Sequence, residues 1–292
     1  RPKRALDCPF CPGNEDLTPP EIMRIGSSRS WQIRVVPNRF PILGDGEQYT
    51  EDGLYKSRSG KGFHDIVIET PIHDQHITEF SADEMNLVID IYQTLMSKRN
   101  KTPGVRYTLI FKNYGRRAGA SLKHSHSQVI AMPILPRRVR EEIDSSRRYY
   151  QRHKSCIFCR IIAEEIKRKE RIVVDNDHFI GFVPYAARIP FEVWIIPKRH
   201  RGYFTAITTE ERHALARILL SVLRRTRIVL EDPPFNFFIH TGPSHLDVNR
   251  YYHYHLVIMP VTSILGGFEL GSGFYVNQSS AEVDARMLRE VG

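Results

Sequence analysis

The chain repeats itself, and that repeat limits its fold more than any other feature. In the first half the order is CPFC, VVPNRFPIL, HDIVIETPIH, TLIFKNYG and HSHSQVIAMP; in the second it is CIFC, IVVDNDHFIGFVPY, FEVWIIPKRH, FNFFIHTG and HYHLVIMP. A shared order of this detail implies two copies of one unit. The chain has 292 residues, more than a single core usually grows to, which also favours two domains. We place the boundary near residue 150, giving domains 1–150 and 151–292. It falls within the Arg-rich stretch 136–154, which lacks an apolar period and reads as a solvated connecting helix or linker.

Each unit has the same ingredients. DIVIET, YTLIFKN, SQVIAM, FEVWIIP, FNFFIH and YHLVIMP are short and rich in β-branched and aromatic residues, so they read as strands. Residues 81–99 and 208–227 each open with Ser or Thr and acidic residues, carry apolar residues at helical spacing and end basic, which predicts one good helix per unit. Runs of strands around one helix argue for an α+β fold with mainly antiparallel sheets.

The cysteines come as Cys8 with Cys11 and Cys156 with Cys159. CPFC leads into a Pro-rich loop rather than the helix of a redox dithiol, so the pair reads as a metal half-site. A tetrahedral zinc site needs about four thiolate and imidazole ligands. The repeat nominates Cys8, Cys11, His73 and His124 as one set and Cys156, Cys159, His200 and His253 as the other. His76 competes with His73, but only His73 matches His200 in closing a strand–Pro–x–His segment.

His124, His126 and Gln128 alternate into a strand, so they share one face. If His124 binds metal, its neighbour His126 is held in fixed orientation, as an imidazole attacking phosphorus must be. Gln128 can donate a hydrogen bond to a phosphoryl oxygen but cannot take a proton from water, so the site favours transfer over hydrolysis. Upstream, Gly115, Gly119, Ala120 and Ser121 allow main-chain amides to approach phosphate oxygens closely. The second half has His255 in register with His126 but lacks the following Gln and the cradle, so one half is expected to be catalytic.

A net charge of +9 suits anionic ligands without choosing among them. No apolar run approaches the ~20 residues needed to cross a bilayer, and the expectation is a soluble, cytoplasmic protein with no membrane partner. The Arg excess and Cys pairs also suit a nucleic-acid-binding zinc protein. However, no nucleic-acid module appears and the segments flanking the Cys pairs lack a basic–aromatic pattern, so no nucleic-acid partner is expected.

From CPFC through VVPNRFP, GASLKHSHSQ and PFEVWIIPKRH to GGFELGSGFYVN, nearly the whole chain resembles the galactose-1-phosphate uridylyltransferase branch of the histidine triad superfamily. The resemblance implies two tandem histidine-triad-like domains, a homodimer, and ping-pong transfer through a covalent nucleotidyl-histidine on a nucleotide sugar and a sugar 1-phosphate. It makes His126 the nucleophile, puts Gln128 on the transferred phosphoryl group, assigns Asn38, Asn113, Gly119 and Ser121 to the nucleotide, and places Gly267 and Phe268 in the segment reaching the sugar phosphate. It implies two zinc ions per subunit, with iron as the alternative at the second site. His240 and His255 with Glu142 resemble a second metal set of some galactose enzymes, which competes with the Cys156 set for His253.

Two departures leave the base, uridine or adenine, open. Ser125 stands where the galactose enzymes have Pro between the histidines, and GGFELGSG lacks their Lys while placing Glu269 differently. These features are similar to the related ADP-glucose phosphorylase branch. A dinucleotide hydrolase or phosphorylase is the further alternative within the superfamily.

Overall fold

The computed structural model describes residues 5, 7–28, 30–46, 49–58, 60–264 and 266–292. In chain order, the strands of the first half are β1 (Met23–Gly26), β2 (Trp31–Pro37), the hairpin β3 (Tyr49–Asp52) and β4 (Tyr55–Arg58), β5 (Phe63–Ile68), β6 (Tyr107–Tyr114) and β7 (His126–Met132). Those of the second are β8 (Ile172–Asp175), β9 (Phe179–Phe182), β10 (Val193–Pro197), β11 (Phe235–His240) and β12 (His255–Pro260). The helices are α1 (Ala82–Asn100), α2 (Arg137–His153), α3 (Ile157–Arg168), α4 (Thr209–Val229), α5 (Gly267–Ser272) and α6 (Ala281–Glu290).

The two long helices begin where their caps predict. The Ser81 hydroxyl accepts from Glu84 N and the Thr208 hydroxyl from Glu211 N, while Glu84 and Glu211 reach back to the cap amides. Each box therefore satisfies two of the amides that a helix start leaves without partners.

The expected pair of antiparallel sheets is one sheet. Ten strands run in the order β1-β2-β5-β7-β6-β11-β12-β10-β9-β8, every adjacent pair antiparallel. Counted outward from its centre, the order is β6, β7, β5, β2, β1 on one side and β11, β12, β10, β9, β8 on the other, so the sequence repeat becomes a pseudo-two-fold. The halves meet where Phe111 pairs with Phe238 and Asn113 with Asn236. Residue 150 lies inside α2, which follows β7 and leads into the second Cys pair.

One face of the sheet packs against α1 and α4, and its core is shared: Val88, Leu95, Val67 and Val129 belong to the same buried cluster as Leu215, Leu219, Ile239 and Ile258. The other face is covered only at its ends. The Cys8–Cys11 loop packs over Trp31, Val36, Ile66 and Ile68, and α2 and α3 place Val139, Ile143, Phe158 and Ile162 against Ile180, Phe182 and Ile196. Alternation along β7 puts His126 and Gln128 on this incompletely covered face, with Ser127 and Val129 towards α1.

Candidate active site and metal centres

The first nominated metal set converges. Cys11 Sγ lies 3.3 Å from His73 Nδ1 and 3.6 Å from His124 Nδ1, and Cys8 Sγ is 3.6 Å from His124 Nδ1. All four ligand atoms fall within 4.8 Å of one another. His124 Nε2–H donates to the Thr70 carbonyl at 2.7 Å, which leaves Nδ1 as the nitrogen that could ligate a metal. Burial pushes the Cys8 thiol up to about 11 and His124 down to about 4, so in both it disfavours the charged form. His76, the rival of His73, is turned away: its Nδ1 accepts from Thr78 N at 3.1 Å.

The second set repeats this plan. Cys159 Sγ is 3.1 Å from His200 Nδ1 and 3.8 Å from His253 Nδ1, and Cys156 completes the cluster. His253 Nε2–H points at the Pro197 carbonyl, 3.0 Å away. Pro197 stands three residues before His200 as Thr70 stands three before His73, so even the outer hydrogen bond is duplicated.

The competition for His253 does not arise. Glu142 gathers His240 and His255 instead: Glu142 Oε2 is 2.9 Å from His240 Nδ1 and 3.9 Å from His255 Nε2. His255 Nε2 is buried without a hydrogen-bond partner among the described residues. One carboxylate and two imidazoles, with an orphaned nitrogen between them, could hold a third cation.

His126 heads β7. Its Nδ1–H donates to the His124 carbonyl at 2.8 Å, leaving Nε2 without a partner among the described residues. Burial first, then the Lys112 charge, holds its pKa below the ordinary imidazole range, so the ring is neutral at pH 7. It lines a cleft of about 1040 Å³ together with Gly115, Gly119, Ser121, Lys112 and Asn113. The cradle is tied down from the other half: Asn236 Nδ2 donates to Asn113 Oδ1 and to the Ala118 carbonyl, both at 2.8 Å, and Asn113 Nδ2 donates to the Gly119 carbonyl at 3.4 Å. Gly119 has φ +89°, and a Cβ there would stand 3.3 Å from Asn113 Nδ2, so glycine suits this turn.

Behind the strand, on the α1 side, lies a buried ion pair that the sequence reading missed. Lys112 Nζ is 2.6 Å from Glu69 Oε2, 3.0 Å from Ser125 Oγ and 2.9 Å from the His126 carbonyl. Glu69 also accepts from Tyr92 OH at 2.9 Å, from Ser125 Oγ at 2.7 Å and from Ser127 Oγ. Ser125 thus has a structural use for its hydroxyl at the position where a proline would have none. A signal was present, since a Lys in TLIFKNYG and a Glu in DIVIET each interrupt an apolar strand.

Four residues nominated for substrate contact are not among those lining the cleft: Gln128, the next same-face position after His126 on β7, together with Gly267, Phe268 and Asn38. Gly267 and Phe268 begin the exposed helix α5 and do not line it. Asn38 is engaged locally, its Oδ1 accepting from Phe40 N at 2.9 Å and its Nδ2 meeting His64, another residue missed from sequence.

A doubled antiparallel sheet whose single H-x-H-x-Q strand presents a neutral imidazole beside a glycine-lined cleft is the arrangement of a nucleotidyltransferase. The family models agree: residues 1–136 match the galactose-1-phosphate uridyl transferase N-terminal domain, and residues 142–291 match its C-terminal domain. The chain belongs to the galactose-1-phosphate uridylyltransferase family.

It is 34% identical to ADP-glucose phosphorylase of Arabidopsis thaliana over 97% of this chain and 82% of that one. It is 27% identical to galactose-1-phosphate uridylyltransferase of Thermotoga maritima over 97% of this chain and 89% of that one. Among solved structures, the Arabidopsis ADP-glucose phosphorylase with bound ADP-glucose superposes with a TM-score of 0.89 at 33% identity, covering 99% of this chain and 93% of that one. A uridylyltransferase structure also gives 0.89, at 31% identity, covering 99% and 92%. Among the described residues, no helix is long and apolar enough to cross a membrane.

Proposed function

We propose that this nucleotidyltransferase is of the UDP-glucose:hexose-1-phosphate uridylyltransferase type, moving a nucleotidyl group between a nucleoside diphosphate sugar and a sugar 1-phosphate through a covalent nucleotidyl-His126. One observation carries the reading: the His126 Nδ1–H bond to the His124 carbonyl, which leaves a neutral Nε2 free beside the cleft. Nε2 attacks the α-phosphorus in line, forming the N–P bond as the P–O bond to the sugar 1-phosphate breaks. A second sugar 1-phosphate then takes the nucleotidyl group back. The leaving group is already a stable phosphate, so positioning and charge neutralisation supply most of the acceleration. Gly119, Ser121 and Asn113 bind the phosphates and nucleotide, Gln128 donates to the transferred phosphoryl group, and Asn38 supports the nucleotide side.

The metals in this reading are structural. Two zinc ions per subunit would be held by the Cys8, Cys11, His73, His124 and the Cys156, Cys159, His200, His253 sets, with iron the alternative at the second site. When bound at the first set, a metal would fix His124 and hence the strand that carries His126. The Gly267–Phe268 segment is assigned to the sugar phosphate, and the protein to a homodimer.

A second reading keeps the same covalent intermediate but uses an adenine nucleotide with inorganic phosphate as acceptor. It is favoured by the 34% identity to ADP-glucose phosphorylase, against 27% to the uridylyltransferase of Thermotoga maritima. Incubation with UDP-glucose and ADP-glucose in parallel, then intact mass of the trapped protein, decides between them. The expected result is a uridylyl adduct on His126, absent from His126→Gly with folding and zinc content intact. Labelling that survives His126→Gly ends the assignment, and an adenylyl adduct discharged by phosphate selects the second reading.

A further inference from the structure

Gln128 can help transfer only if its amide faces the right way, because the oxygen repels a phosphoryl oxygen and the NH₂ group binds one. Its own strand does not decide this. The decision comes from a directed chain of hydrogen bonds crossing three segments.

The chain starts at a main-chain amide. Phe40 N–H donates to Asn38 Oδ1 at 2.9 Å, so Asn38 presents its NH₂ to the His64 ring, 3.2 Å from each ring nitrogen. Ile42 N–H points at His64 Nδ1 from 3.3 Å. A main-chain N–H can only donate, so Nδ1 is the accepting nitrogen and the ring proton sits on Nε2. His64 Nε2 lies 2.8 Å from Gln128 Oε1, to which it donates. The Gln128 NH₂ group is then directed away from His64, with no hydrogen-bond partner among the described residues.

Each member sits where it can hold this orientation. His64 is 6% exposed and lies on β5, whose pairing with β7 sets Ile66 opposite Gln128 and Ile68 opposite His126. His64 itself pairs with Ile130, the next same-face position beyond Gln128, so it grips Gln128 diagonally from the neighbouring strand, on the side away from His126. Burial lowers the His64 pKa, which agrees with a ring that stays neutral and keeps one accepting nitrogen.

We propose that His64, as its Nε2–H tautomer, is a positioning residue that holds Gln128 by its side-chain oxygen and so aims the amide NH₂ at the phosphoryl group passed to and from His126. The inference rests on the nucleotidyl-His126 reading and adds the group that orients its hydrogen-bond donor. It also gives Asn38 work that needs no contact with nucleotide: setting the tautomer of His64.

The test is a double-mutant cycle on the rate of nucleotidyl-enzyme formation in single turnover, with saturating sugar nucleotide and fully metal-loaded protein. His64→Leu is expected to slow the step about 10- to 100-fold, the usual effect of losing geometric control over one transition-state contact, with a much smaller change in KM. His64→Gln, which retains an N–H donor at similar reach, is expected to recover most of the rate. In a Gln128→Ala background His64→Leu should cost nothing further, because the group it positions is gone. An equal slowing in both backgrounds, or none in either, overturns the proposal. A second measurement needs no turnover: nitrogen NMR of the histidine rings in the unaltered protein, with His64 assigned by its loss in His64→Gln. It should show His64 protonated at Nε2, and protonation at Nδ1 alone overturns the proposal. Failure of the unaltered protein to form an adduct with either sugar nucleotide defeats the parent reading and this inference with it, a result distinct from a normal adduct rate in His64→Leu.

Discussion

The Lys112–Glu69 pair beneath His126 permits a stability prediction that can be worked through. Both side chains are almost wholly buried, at 2% and 0% exposed, with 2.6 Å between Nζ and Oε2. Replacing Lys112 by Met removes three hydrogen bonds and leaves Glu69 charged in the interior. Breaking one side of a buried pair in this way costs about 3–5 kcal/mol. At an unfolding entropy of roughly 2.1 cal/mol/K per residue, 292 residues give about 0.6 kcal/mol/K, so Tm should fall by about 5–8 °C. Glu69→Gln strands the ammonium instead and should lose a similar amount. The double replacement leaves no unpaired charge, so its loss should fall short of the sum by about 2–3 kcal/mol.

The assay is thermal unfolding of the four proteins at equal metal loading, since bound metal itself raises Tm. Acidity supplies a sign check. Burial would raise the Glu69 pKa, but Lys112 and the serine hydroxyls outweigh it and hold the carboxyl below its ordinary value. The stability this group contributes is therefore fully present above an unfolded-state pKa of about 4.3 and is lost as pH falls through the lower folded value. The gap between the unaltered protein and Glu69→Gln should close as pH falls through the Glu69 value, and it should also narrow above neutrality, where the stranded Lys112, whose pKa burial already lowers, sheds its proton in the variant. Simple additivity in the cycle, or a gap that persists undiminished in acid, would refute the reasoning.

Cys8→Ser and Cys159→Ser should each lower bound zinc by one equivalent as measured by elemental analysis, while Glu142→Gln should leave both Cys-bound ions in place; loss of two equivalents from one substitution would show that the sites are not independent. Asn236→Ala frees the Asn113 amide and the Ala118 carbonyl that pin the glycine turn, so KM for the sugar nucleotide should rise by about 5-fold or more, the low end of the ~1–3 kcal/mol that an unsatisfied buried polar group costs. An unchanged KM would mean that the turn holds its shape alone.

The strands from YTLIFKN to YHLVIMP and the helices capped by Ser81 and Thr208 were legible because alternation, helical period and capping are local. The two Cys-His sets were legible for another reason: a duplicated chain states its ligands twice, so His73 could be chosen over His76 by register with His200. Periodicity could not reveal that the halves join edge to edge at Phe111 and Phe238, because a strand pattern records burial and not which strand lies alongside.

The amino-acid order alone thus determined the duplicated α+β unit, the two Cys-His sets that could hold metal and the H-x-H-x-Q segment proposed to carry the nucleophile, each carried by spacing within a segment or by the repeat. Tertiary structure alone decided that Lys112 neutralises Glu69, that Asn236 of one half steadies the cradle of the other, that Glu142 collects His240 and His255 while His253 joins Cys159, and that His64 faces Gln128. These partners are far apart in sequence. A polar residue in an apolar strand announces that it must be satisfied, but only strand pairing selects the group that satisfies it.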